Sequence, residues 1–288
     1  MIPKRAFVAF FCAAVICGCN NANRQTVFTD SEVESIVHSD STGMPVELES
    51  VDSFVIPEEP LPEAIDELFD DFVFAFDQNP ALQRRRVRFP LTIEGATDGD
   101  SVLTARNWQR LHVFLQQDFC TVLWSKPSET LLSDDINVVH AEVDQFFLNT
   151  RRATTYTFDR DSISGHWQLT GQRNYGFEAT PLADFLTFYT RFAADSIFQR
   201  EHVSNHLRFV STDEDGEEEP VVGFIDVDQW FEFAPELPVD VLTNINYGQH
   251  YDNPRRMIMQ MRGISNGLQT ELSFVREGES WHLVGYIN

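Results

Sequence analysis

Phe69-Asp-Asp-Phe-Val-Phe-Ala-Phe76 returns 116 residues later as Phe185-Leu-Thr-Phe-Tyr-Thr-Arg-Phe192, and this echo decides the fold. In both runs three rings fall at i, i+3 and i+7, the spacing that gathers side chains on one face of an α-helix. A Phe stripe of this kind predicts a core-facing helix. The match continues, since Leu82-Gln83-Arg84 with Val87 stands 116 residues before Phe198-Gln199-Arg200 with Val203. It also closes alike. Tyr156-Thr-Phe158, a turn and Trp167-Gln-Leu-Thr-Gly171 answer to Leu272-Ser-Phe274, a turn and Trp281-His-Leu-Val-Gly285, with the second turn two residues shorter. Ordered matches at one offset predict a duplicated body, one copy at 61–177 and the other at 178–288.

Each copy opens with helix and closes with strand. Pro62 and Pro181 stand where a helix start tolerates proline, whose missing N–H has no intrahelical acceptor there in any case. The alternation in Val138-Val-His-Ala-Glu-Val-Asp-Gln-Phe-Phe147 and in the Trp167 hairpin reads as half-buried strand. Helices first and strands last predict an α+β fold, with helices packed on one face of an antiparallel sheet.

Ahead of the body lies a different kind of sequence. Lys4 and Arg5 precede the uncharged apolar run Ala6 to Ile16, which as a helix rises only ~16 Å, against the ~30 Å of a hydrocarbon core. Residues 1–18 therefore read as an export signal rather than a membrane span. Its end, Ile16-Cys17-Gly18-Cys19, has the form of a lipobox, with an apolar residue, a small residue and a nucleophilic thiol in order. Lipidation of Cys19 is expected, and acyl chains at ~0.8 kcal/mol per buried CH₂ would hold the chain on a membrane. Residues 19–60 mix Ser, Thr, Asp, Glu and Pro without a sustained period and read as an acidic tether. The implied location is the cell envelope, on the periplasmic face or outer surface of an outer membrane.

The whole chain carries a net charge of −24, or about −26 once Lys4 and Arg5 are removed with the signal. Such a surface repels phosphate backbones, so nucleic acid is excluded as a partner. Beyond Cys19 only Cys120 remains in the body, which rules out an internal disulfide framework and a thiolate zinc cluster. Cys120 sits in Phe-Cys-Thr-Val-Leu-Trp124 and is expected to be a buried core thiol.

The Phe-stripe helix, the run Arg86-Val-Arg-Phe-Pro-Leu91, the lone Trp108, the Thr-rich strand and the Trp167-Gln-Leu strand together resemble the Bacteroidetes lipoproteins grouped as domain of unknown function 4348. The resemblance spans roughly Leu61 to Asn288. It implies an NTF2-like (cystatin-like) cone in which helices close one side of a curved sheet over an apolar pocket, and it implies no reaction. The second copy departs from the pattern, with Asn205-His-Leu207 in place of Phe89-Pro-Leu91.

Residues with chemical potential are few. Enzymes of the resembling fold place Asp, His or Tyr deep in the cone, which singles out Asp118, His140 and Tyr156 in the first copy and Asp240, His250 and Tyr251 in the second. His202 and His206 would share one face if both lay on a helix, as metal-binding pairs do. Asp213, Asp215 and Glu219 flank Gly216 in a fragment of a calcium loop that lacks the full ligand pattern. The basic cluster Arg84, Arg85, Arg86 and Arg88 is expected to neutralise the acidic face at Asp70 and Asp71. No phosphate-cradling Gly loop, nucleophile elbow or HExxH run occurs. A membrane-anchored module binding a small molecule or a protein is thus expected, with no cofactor. The alternative is an NTF2-like enzyme or carrier whose pocket lies in the first copy.

Overall fold

The computed structural model describes residues 64–96, 101–211, 219–264 and 267–288. The expected signal peptide, Cys19, the tether, Asp213 and Asp215 lie outside them.

Helix α1 spans Phe69–Gln78 and α2 spans Pro80–Arg86. One residue separates them, and its side chain explains the break. Asn79 adopts extended backbone, and its Oδ1 accepts from the N–H groups of Ala81 (2.9 Å) and Leu82 (3.0 Å), satisfying two of the donors that a helix start leaves open. Helices α3 (Ala183–Ala194) and α4 (Ser196–Glu201) are joined the same way through Asp195, which accepts from Ile197 and Phe198. The matched glutamines serve the other end. Gln83 Nε2 donates to the Phe76 carbonyl at 2.9 Å and Gln199 Nε2 to the Phe192 carbonyl at 3.1 Å, tying off carbonyls near the ends of α1 and α3.

The strands are β1 (Leu91–Glu94), β2 (Val102–Leu103), β3 (Phe119–Trp124), β4 (His140–Phe147), β5 (Arg152–Arg160) and β6 (Trp167–Gly176). After α4 come β7 (Val203–Ser211), β8 (Val221–Ile225), α5 (Val227–Phe233), β9 (Val241–Asn246), β10 (Arg256–Gly263), β11 (Gln269–Glu277) and β12 (Ser280–Ile287). They form two six-stranded sheets, ordered β2-β1-β6-β5-β4-β9 and β3-β10-β11-β12-β7-β8. The orders correspond strand for strand. In each, the strand after the helices runs parallel to the last strand, β1 beside β6 and β7 beside β12, while the other neighbours are antiparallel.

One strand of each set pairs in the opposite sheet. β9 runs antiparallel to β4, from Phe147↔Val241 to Glu142↔Asn246, and β3 runs antiparallel to β10, from Ile258↔Trp124 to Gly263↔Phe119. The two exchanged strands meet where Thr121 N–H donates to Thr243 Oγ1 at 3.0 Å, Thr121 Oγ1 donates to the Thr243 carbonyl, and Leu123 N–H donates to Asn244 Oδ1 at 2.8 Å. Each of the segments 61–177 and 178–288 therefore contributes a strand to the sheet the other largely builds.

The exchange lets the sheets serve two cores. Ala141 and Val143 of β4 face the first core with Phe69, Phe72, Phe76, Phe158 and Trp167, whereas Phe146 faces the second with Phe185, Phe192, Phe274 and Trp281. Both cores are filled by rings in edge-on contact. Phe69 meets Phe158 at 5.4 Å and Trp167 at 4.9 Å, and Phe185 meets Phe274 at 5.4 Å and Trp281 at 5.3 Å. Such geometry adds ~0.5–1.5 kcal/mol per pair beyond area burial. The predicted Phe stripes are thus core, and Cys120 is fully buried beside the first of them.

Three expectations fail. The sheets are mixed rather than antiparallel, because the strand after each helix pair returns parallel to the last strand. The arginine cluster does not neutralise Asp70; that carboxylate is held by Arg262 of β10 at 3.1 Å and by the Tyr247 hydroxyl, while Arg86 turns to Asp66 (2.8 Å) and Arg88 to Gln168. Arg86 of α2 reaches the Trp167 carbonyl at the start of β6, and only tertiary contact brings a cation to Asp70. His202 and His206 do not share a helical face, because α4 ends at Glu201 and His206 lies exposed on β7. His202 stacks on Phe198 at 3.8 Å.

Candidate functional site

The residues singled out from the sequence are dispersed. Tyr156 packs inside the first core, where burial pushes its hydroxyl up to about 12. Asp118 is exposed, as is His140, whose Nδ1 lies 2.8 Å from Asp159 Oδ1. Asp240 is exposed and accepts from Asn149 at 2.8 Å, and His250 is exposed on the loop after β9. Tyr251 is buried and donates to the Leu123 carbonyl at 2.8 Å. Glu219 is exposed, and among the described residues no three His, Cys, Asp or Glu side chains converge as a metal site would require.

Two of the singled-out residues, His250 and Tyr251, join others that the sequence did not mark, on the face of the first sheet turned away from α1. Across β4, β5 and β6 the ladder places Asp144 opposite Thr155 and Thr155 opposite Arg173, while Asp144 also faces Asn244 of the exchanged β9. Side chains alternate across a strand, so this row shares one face. Toward one end the face is covered by the second core through Phe146, Ala153 and Leu242. Toward the other it opens into a cleft of about 310 Å³ floored by Asp144 and walled by Tyr175, Tyr251 and the Thr180–Leu182 turn that leads into α3.

Asp144 is 6% exposed. Its Oδ1 accepts from Thr155 Oγ1 at 2.5 Å and lies 3.4 Å from the Tyr175 hydroxyl, and its Oδ2 accepts from Asn244 Nδ2 at 3.1 Å. All these donors are neutral. Among the described residues no Lys, Arg or His is ion-paired with Asp144. Burial therefore raises its carboxyl to about 6, the Thr155 and Asn244 hydrogen bonds oppose that rise, and the nearby charge of Glu142 adds to it. A buried carboxylate neutralised by no cation is costly, so the cleft floor is an electrostatic demand that the fold leaves open.

The matching position of the other sheet carries no acid. Gln260 stands there, 116 residues on, and its Oε1 accepts the indole N–H of Trp124 at 2.8 Å. The acid of that row is Glu271, opposite Gln260, but it is only half-buried and accepts from Gln260 and Ser273, so the buried acid belongs to the first sheet's face. Asp144 lies inside the strand read from alternation, but the alternation gave no reason to choose it. Nothing in the sequence marks it; the structure shows Val143 to Phe146 buried on both faces, a setting in which an acid needs a purpose.

A family model described as "Domain of unknown function (DUF4348)" matches residues 48–288. No curated protein matches the chain. Among solved structures, the crystal structure of an NTF2-like protein from Bacteroides fragilis NCTC 9343 at 2.15 Å resolution is 35% identical. The similarity covers 79% of this chain and 98% of that one, with a TM-score of 0.71.

Proposed function

The chain belongs to the DUF4348 family and shares its fold with an NTF2-like protein, and on that premise we propose that it is a lipid-anchored envelope module that binds a small polar ligand in the Asp144 cleft. The observation that carries the binding role is the cleft floor itself, a buried carboxylate without a cation partner in a cavity of about 310 Å³. That volume falls at the small end of ligand pockets. The filled aromatic core of the first copy argues against a pocket there, and the cavity at the edge of the second core, lined by Phe119, Met261 and Tyr286, holds no buried acid, which favours the opposite face of the first sheet.

The placement at a membrane rests on Ile16-Cys-Gly-Cys19 and the basic and apolar segments before it. Among the described residues no helix is long and apolar enough to cross a membrane, so attachment in this reading falls to the lipid on Cys19. The two sheets of equal strand order, together with the offset of 116, support a tandem duplication in which one face carries Asp144 where the other carries Gln260.

Two measurements test the reading. Cys19→Ala should move the protein from the membrane fraction to the soluble one, and unchanged fractionation would remove the anchor. A crystallographic fragment screen of mixed charge should place compounds beside Asp144; a screen whose hits all fall elsewhere would remove the cleft.

A further inference from the structure

Two opposite charges line the cleft and do not meet. Arg173 lies two strands from Asp144 in the same ladder row, a Cα separation of about 10 Å from ladder spacing. The ring of Tyr175 stands between them. Its hydroxyl is 3.4 Å from Asp144 Oδ1 and 2.9 Å from Thr155 Oγ1, while the guanidinium of Arg173 rests over its face, 4.4 Å from the centroid. Among the described residues Arg173 forms no ion pair with any carboxylate, although Glu94 is its ladder partner on β1, and it borders this cleft and the adjoining one lined by Glu94, Glu142, Thr157 and Thr170. Glu142 and Asp252 add acid to the Asp144 side, and His250 sits at the rim. Pro181 and Leu182 supply an apolar wall.

Taking the binding role of the cleft as given, we infer that its ligand is a small zwitterion, an α-amino acid or short peptide. Its ammonium meets Asp144, its carboxylate meets Arg173 and its apolar side chain lies on the Pro181–Leu182 wall. A carboxylate floor alone would take any amine, and an exposed arginine alone any anion. The two held apart by one ring select a molecule that carries both charges a few ångströms from each other. Each contact is charge-assisted, and the planar guanidinium can hold a carboxylate with two parallel hydrogen bonds. The Asp144 end is desolvated and should contribute more than the exposed Arg173 end.

The test is calorimetric titration of the full chain in detergent with L-leucine, L-phenylalanine and Gly-Leu. Each is compared with the analogue lacking the amino group and the analogue lacking the carboxylate, 4-methylpentanoate and isoamylamine for leucine. At least one zwitterion should bind tenfold or more tightly than both of its halves. Arg173→Gln, at an exposed position, should erase the advantage over the amine and leave that over the acid. Asp144→Asn, nearly isosteric, should erase the advantage over the acid. If an amine binds as well as its zwitterion and depends on Asp144, the zwitterion is overturned while the cleft keeps its binding role. Absence of binding by all three zwitterions overturns it as well, and the fragment screen then decides the fate of the cleft.

Discussion

Asp144 illustrates how one residue carries both a cost and a role. Its folded carboxyl titrates near 6, above the ordinary aspartate value of ~3.9. A pKa raised on folding means that the stabilising share is present at low pH and lost as pH rises through about 6. Asp144→Asn removes the ionised form but turns an amide NH₂ toward a donor, Thr155 or Asn244, so it carries a hydrogen-bond cost at every pH. The stability of the variant relative to the parent should therefore improve by up to about 3 kcal/mol between pH 3 and pH 7.5, as denaturant melts of both over that range would show. Asp66 titrates with the opposite sign. Burial raises its carboxyl, but hydrogen bonds from Arg86, the Trp167 amide and His166 outweigh that and hold it below the usual range. Its stabilisation is present at neutral pH and fades as pH falls through the acid range, so Asp66→Asn should cost most near pH 7 and least near pH 3. None of this could be read beforehand. Asp66 and Asp144 look alike in the sequence, and their partners come from residues 11 to 101 positions away.

Among the elements, the paired helices show why a repeat includes polar residues. Gln83 and Gln199 match in the sequence because each amide reaches back seven residues to a carbonyl near the end of the preceding helix. Gln83 also exchanges two hydrogen bonds with the Leu111 backbone. Gln83→Leu and Gln199→Leu should each cost about 1–3 kcal/mol, since either leaves buried backbone groups unpaired, and chemical denaturation would measure it. The helix starts differ in a way that suggests a repair. Trp281 donates its indole N–H to Asp184 at 2.9 Å, whereas the Trp167 indole N–H is buried without a partner. The counterpart of Asp184, 116 residues earlier, is Leu68, at the N-cap of α1. Leu68→Asp should supply both a cap and an acceptor and stabilise the protein by about 1 kcal/mol, visible as a melting temperature a few degrees higher. Helix faces and strand alternation were legible at this scale, because period and capping chemistry are local.

For the whole molecule the exchange of β3 and β9 is the governing feature. A fragment covering 61–177 would hold β3 with no partner and leave the outer edge of β4 unpaired, exposing the apolar groups that face the second core. Alone it should be unfolded or dimeric by light scattering, and a folded monomer would contradict the exchange. Co-expressed with 178–288 it should recover a one-to-one complex, since each segment supplies the strand the other lacks. The sequence by itself determined the α+β class, the two helix stripes, the strand in Val138–Phe147, the closing hairpins and the matches at one offset, because each follows from side-chain pattern along a short stretch. Only the tertiary structure decided that the strands cross between sheets, that aromatic rings fill the first core, and that Asp144 rather than Asp118, His140 or Tyr156 floors a cleft. Burial and pairing depend on which distant strand lies alongside, and a ladder joining residues 100 apart leaves no mark in the local pattern of either.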